Sequence, residues 1–183
     1  STSFPQTMLV DYVRAYQTGF ATPTPVVQST WRVRCGGDSY TDSQGNTWAA
    51  DTNFTGGWPA VNNSTSVSGA LPASSDQTLY QWERYGNTTG GQTLTYTFNV
   101  PTGSNYQVTL KFAEDYWTAA GKRLFSYAIN GTTEATNFDI FASAGGQFKA
   151  LDKTYNNITP NANGQIVISL APGSADNPTI DAI

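Results

Sequence analysis

Residues 106–113, YQVTLKFA, place Tyr106, Val108, Leu110 and Phe112 on one side of an extended chain and Gln107, Thr109, Lys111 and Ala113 on the other. Period-two alternation of this kind belongs to a strand with one face buried and one in water. The pattern stops at Glu114 and Asp115, after which Tyr116 and Trp117 follow as neighbours. Successive side chains of a strand point to opposite faces, so one core cannot take both rings, and at least one looks outward from a loop.

The same alternation recurs at 92–100, where Leu94, Tyr96, Phe98 and Val100 face one way, and at 31–35, where Trp31, Val33 and Cys35 do. Further strands are expected at 47–51, 78–82, 123–130, 132–138, 148–151, 165–170 and 179–183. They are separated by turn residues at 36–38, 43–46 and 101–104 and by Asn130-Gly131, the strongest hairpin signal in the chain. Residues 52–75 read as a long irregular stretch, with Gly56-Gly57-Trp58-Pro59 near its start. Charged residues make up only 12% of the chain and aromatics 13%, a mixture that serves long helices poorly. The expected fold is all-β, a β-sandwich or jelly roll with a binding cleft carried on its loops.

Nine basic residues lie scattered among thirteen acidic ones, giving a formal charge of −4 and no footprint for nucleic acid. There is no polybasic patch and no apolar run near the length of a membrane span. The sequence contains no histidine, which excludes Ser-His-Asp and Cys-His catalysis and argues against zinc. The single cysteine, Cys35, has no internal disulfide partner, and its alternation with Trp31 and Val33 makes it a buried thiol. No cofactor is expected. Asp38, Asp42 and Asp51 could hold a structural calcium, although the regular spacing of a calcium loop is missing. Asn53, Asn62, Asn63, Asn87, Asn130 and Asn157 stand in N-x-Ser/Thr contexts, which chance supplies readily in a chain this rich in Asn and Thr.

Residues 8–16 read as a lone extended run, and 18–30 as a semi-extended Thr/Pro linker, because X-Pro steps favour extended backbone. Three parts are therefore expected: 1–17, a linker at 18–30, and a main domain at 31–183. The segment PQTMLVDYVRAYQ resembles the closing strand of bacterial laminarinase and endo-β-glucanase catalytic domains. That resemblance implies a glucanase catalytic domain linked upstream.

Three blocks of the main domain, VRCGGDSYTDSQGNTWAAD (33–51), DQTLYQWERY (76–85) and KFAEDYW (111–117), together resemble the malectin family of carbohydrate-binding domains. Residues 137–141 (NFDIF) and 176–178 (DNP) support the likeness. The resemblance implies a β-sandwich whose loops form a shallow cleft for glucose-containing sugars. Its sugar-contacting residues fall on Tyr85, Tyr116, Trp117 and Asp176. A further family tyrosine has no counterpart near 62–64, and Trp58 is the nearest replacement.

The residues themselves suit that chemistry. A pyranose needs a flat ring surface, which Tyr85, Tyr116, Trp117 and Trp58 would supply, and fixed hydrogen-bonding groups, which Asp176 and Asn177 would supply. The expected function is a monomeric, extracellular, non-catalytic module of bacterial origin that holds a glycoside hydrolase on glucan. The glucanase-like stub favours β-1,3-linked chains over α-linked ones. Two rivals remain open: a protein-interaction β-sandwich of receptor-ectodomain type, and a glycosidase using Glu83, Glu114 and Asp115. Against the second, a buried ion pair between Glu114 and Arg84 would explain the same residues.

Overall fold

The computed structural model describes residues 29–69, 71–86 and 92–183. The expected strand at 8–16 and nearly all of the linker lie outside the described residues.

β1 (Tyr40–Thr41) and β2 (Thr47–Trp48) form a small hairpin around the turn at 43–46. Three short strands follow, β3 (Phe54–Thr55), β4 (Trp58–Val61) and β5 (Ser68–Gly69). A 3₁₀ helix at Ser74–Tyr80 leads into β6 (Trp82–Tyr85). The long strands are β7 (Leu94–Asn99), β8 (Tyr106–Phe112), β9 (Leu124–Ile129) and β10 (Thr132–Phe138). A five-residue helix α1 (Ile140–Ala144) precedes β11 (Lys149–Ile158), β12 (Gln165–Ala175) and β13 (Thr179–Ile180).

One layer is a five-stranded sheet in the order β10-β9-β12-β7-β3. The other joins β5-β11-β8 to β13-β6-β4 through a bridge between Lys111 and Ala182. All strand pairs are antiparallel except β11 with β5. This is the all-β sandwich expected from the alternation. The inward residues of β8 (Val108, Leu110, Phe112) share one core with Leu94, Tyr96 and Phe98 of β7 and with Phe125, Tyr127 and Ile129 of β9. Phe112 meets Phe125, Tyr127 and Phe138 at ring-centroid distances of 6.2, 5.7 and 5.2 Å. Cys35 is fully buried in this core, and its burial pushes the thiol well up.

Several elements depart from expectation. Residues 31–35 form only isolated bridges, Val33 to Ala49 and Arg34 to Ala182. The strand expected at 78–82 is largely the 3₁₀ helix, which buries the neighbours Leu79 and Tyr80 together, as an alternating strand cannot. Asp76 anchors that turn by accepting from the Ser43 N–H (2.8 Å) and the Ser43 hydroxyl (2.6 Å). β11 and β12 run several residues past their apolar signals, paired for most of that length to β8 and β9. The helix α1 starts where Asp139 accepts from the Ala142 N–H and ends at Gly145, whose φ is 77°.

Candidate functional site

The break in alternation after β8 has a single residue behind it. Glu114 is fully buried, and its Oε1 accepts from the backbone N–H groups of Tyr116 (3.1 Å) and Trp117 (2.9 Å). Those two bonds turn the chain and send Tyr116 outward, 69% exposed. The charge of Glu114 is met by Arg123, whose Nε donates to Oε2 at 2.7 Å and whose Nη2 donates to Oε1 at 3.2 Å. Burial alone would lower Arg123, but the bonds and charge of Glu114 outweigh it and raise the guanidinium further.

Arg123 reaches across to the turn before β13. Its Nη1 donates to the Asn177 carbonyl at 2.8 Å and lies 3.4 Å from Asp176 Oδ2. Asp176 sits in the left-handed region at φ 54° and accepts from the Trp117 indole N–H at 2.5 Å. Glu83 and Tyr85, two apart on β6, share a face, and β4 lies alongside with Trp58 opposite Tyr85 and Ala60 opposite Glu83. Thr179 of β13 donates its hydroxyl to Glu83 Oε2. The Asp115 carbonyl accepts from Asn62 Nδ2 (3.3 Å) and Gln147 Nε2 (3.0 Å), which ties this loop to its neighbours.

Between these elements opens a cleft of about 350 Å³. Ala60, Val61 and Asn62 form one wall, Asp115 and Tyr116 another, and Asp176 and Asn177 a third; Tyr85, Glu83 and Arg123 also line it. Burial first, and the Asp115 charge next, push Glu83 up to about 7. Burial also raises Asp115, and it raises Asp181, just past β13, well above the ordinary carboxylate range.

Of the six side chains anticipated from the sequence, Tyr85, Tyr116, Asp176 and Asn177 converge on the cleft. Trp117 does not line it. Its ring stands edge-on to Tyr116, 89° between planes, with its N–H spent on Asp176, so the two rings make no continuous flat surface. Trp58 lies beside the cleft on β4, 59% exposed. Arg123, which organises the site, was not anticipated. Its signal was the second cation of the pair Lys122-Arg123, standing directly before an apolar strand. The proposed partnership of Glu114 with Arg84 is also corrected. Arg84 points to the opposite face of β6 from Glu83 and pairs with Asp51 at 2.6 Å, over the Phe54 ring.

Two of the three carboxylates considered for calcium, those of Asp42 and Asp51, are otherwise engaged. Asp42 accepts from Asn46 and the Trp48 indole, and Asp51 from Arg84 and the Tyr96 hydroxyl. Among the described residues no group of three His, Cys, Asp or Glu could hold a metal.

A family model, Malectin domain, matches residues 29–183. Malectin of Danio rerio is 27% identical over 167 residues, covering 84% of this chain and 56% of that protein. Receptor-like protein 4 of Arabidopsis thaliana is 38% identical over 93 residues, covering 49% of this chain and 14% of that protein. A chain in the crystal structure of plant peptide RALF23 in complex with FER and LLG2 superposes with a TM-score of 0.74 at 20% identity, covering 84% of this chain and 47% of that one; this likeness shows the fold. The chain thus spans about half the length of the animal relative and a small part of the plant one.

These matches overturn two expectations. The upstream bacterial laminarinase is set aside, because the relatives are animal malectins and plant receptor-like proteins. A match of about a dozen residues is too short to carry a family assignment. The glucan-targeting module attached to a glycoside hydrolase is set aside with it, since receptor-type proteins stand where that reading required hydrolase accessory domains. Geometry agrees: the 116–117 pair offers no platform, and Asp176 already holds an indole N–H and faces Arg123. The domain is of the extracellular, secreted kind, and its matched relatives are eukaryotic rather than bacterial.

Proposed function

The chain belongs to the malectin domain family, and from that premise we propose that it is a protein-interaction module of receptor-ectodomain type, which takes an extended segment of a partner polypeptide along β4 and into the adjoining cleft. As a member of that family it is a non-catalytic domain.

The observation that carries this reading is the apolar edge beside the cleft. Trp58, Val61 and Tyr116 are 59%, 44% and 69% exposed, and β4 is the outer strand of its sheet, paired among the described residues only with β6. An exposed edge strand with large apolar side chains invites pairing by another chain, the backbone giving affinity and neighbouring pockets giving specificity. A plant peptide bound in complex with FER and LLG2, in a structure of the same fold, supports the class of partner.

Selection of a random-peptide display library on the immobilised chain tests the proposal. Enriched peptides are expected to lose about tenfold or more in affinity on Trp58→Ser and on Tyr116→Ser, as exposed aromatic anchors do. No enrichment over a blank surface, or peptides that bind the doubly substituted chain equally well, would overturn it.

A further inference from the structure

The charges in the cleft do not balance. Glu83, Asp115 and Asp176 line it, with Glu114 and Asp181 buried close behind, and Arg123 is the one cation among its lining residues. Arg123 is fully committed to Glu114, the Asn177 carbonyl and Asp176. Arg84 faces away into its pair with Asp51, and Lys111 is held by Asp152 at 2.6 Å. The charge of Arg123 reaches both Glu83 and Asp115, and at each it is outweighed by burial and by the neighbouring acids.

Glu83 is also unfinished. It is 7% exposed, lines the cleft, and among the described residues accepts one hydrogen bond, from Thr179 to Oε2, leaving Oε1 without a partner. The buried Oδ1 of Asn177, another lining residue, has no partner. A buried acceptor left unpaired is costly, so the site calls for a donor. A donor bearing positive charge would also relieve the excess of carboxylates.

We propose that the cleft is a seat for one cationic side chain, Lys or Arg, of the partner polypeptide, with the cation between Glu83 and Asp115 and its apolar stem against Tyr116 and Val61. This rests on the protein-interaction reading and names the residue type that reading leaves open. A cleft of about 350 Å³ has room for such a side chain, which buries its stem and presents donors at its tip. Seating is coupled to a proton. Glu83 faces Asp115, Glu114, Arg123 and Thr179, with Asp181 behind it; burial first, then the acids, favour its protonated form near neutral pH against the opposing pull of Arg123 and Thr179. An arriving cation displaces that proton, so binding tightens as pH rises through 7 and then levels off.

The test is a nuclear magnetic resonance titration of the isotope-labelled full chain with N-acetyl-arginine amide, with the neutral isostere N-acetyl-citrulline amide as comparison. The Trp117 indole and the Asn62 and Asn177 side-chain amides report on the cleft. Arginine amide is expected to shift them saturably and citrulline amide at least about tenfold more weakly, as loss of a charge-assisted contact requires. Affinity should rise about three- to tenfold from pH 6 to pH 8, and Glu83→Gln should remove that rise. Equal binding of citrulline amide, equal shifts produced by calcium alone, or an affinity flat with pH would overturn the proposal. The two readings fail separately. Selected peptides that need Trp58 but carry no Lys or Arg keep the interaction module and overturn the seat. Arginine amide moving the cleft resonances when no peptide is selected keeps the seat and overturns the module.

Discussion

Glu114 accepts two backbone N–H groups on one side and a guanidinium on the other, all within a buried site. It is therefore a hinge pin for the 114–117 turn, with Arg123 as its ion-pair partner. Replacing one partner of such a pair leaves a charge stranded in low dielectric, which costs far more than the pair contributes net. Arg123→Leu is expected to lower the unfolding free energy by about 3–5 kcal/mol in urea titration. A loss below about 1 kcal/mol would mean water already shares the charge. Glu83 sets a pH dependence of opposite sense to an ordinary paired acid. Its folded value near 7 lies above its ordinary 4.5, so the folded state holds more protons than the unfolded one across that window. Stability is thus greatest below the window and is lost as pH rises through it. Asp115 and Asp181 are displaced the same way. Between pH 5 and pH 7.5 the urea midpoint should fall, by an equivalent of about 1–3 kcal/mol, and Glu83→Gln should flatten the slope. A midpoint that rises over that range would contradict the assignment.

At the scale of elements, β4 owes its place to Gly57. Its φ is 71°, and a Cβ built there would lie 2.5 Å from the Tyr85 carbonyl oxygen, so only glycine lets the chain approach β6 closely enough to pair Trp58 with Tyr85. Gly57→Ala is expected to cost about 2 kcal/mol or more and to loosen the amide protection of β4 first, visible in hydrogen exchange. Unchanged protection at Ala60 and Val61 would show that the contact gives way cheaply. None of this was legible beforehand, because β4 has no alternation and its sequence, WPAV, reads as loop. The elements that were legible are β7, β8 and β9, in which one face is buried along most of the strand and which lie within about two residues of where period two put them, together with β10, which follows the Asn130-Gly131 turn. The 3₁₀ helix escaped because Leu79 and Tyr80 are buried by tertiary packing around Asp76, which no local period encodes. The site was half legible on the same grounds. Adjacent Tyr116 and Trp117 announced an outward ring, and which ring it would be depended on the N–H bonds of Glu114 and the hold of Asp176 on the indole.

At the scale of the whole domain, the sandwich is closed by its last residues. The Val33 N–H donates to the Ile183 carbonyl at 2.9 Å and the Ile183 N–H returns to Val33 at 3.0 Å. The Cys35 N–H reaches the Asp181 carbonyl at 2.8 Å, and Ala182 bridges both Arg34 and Lys111. Residues 180–182 are at most 1% exposed, so this final segment is a central piece of the second layer, standing between β8 and β6 and carrying the support of the cleft floor. Removing residues 181–183 strips partners from backbone groups on both neighbours at once, and unpaired buried groups of that kind are not tolerated. The shortened chain is expected to lose its sharp urea transition and its near-ultraviolet aromatic signal. Asp181→Asn, which keeps every backbone bond and removes a buried carboxyl that ionises only with difficulty, should fold and be at least as stable as the parent at pH 7.5. Cooperative unfolding retained by the deletion would show that these residues do not close the sandwich, and its loss in the substitution would place the closure in the side chain instead of the strand.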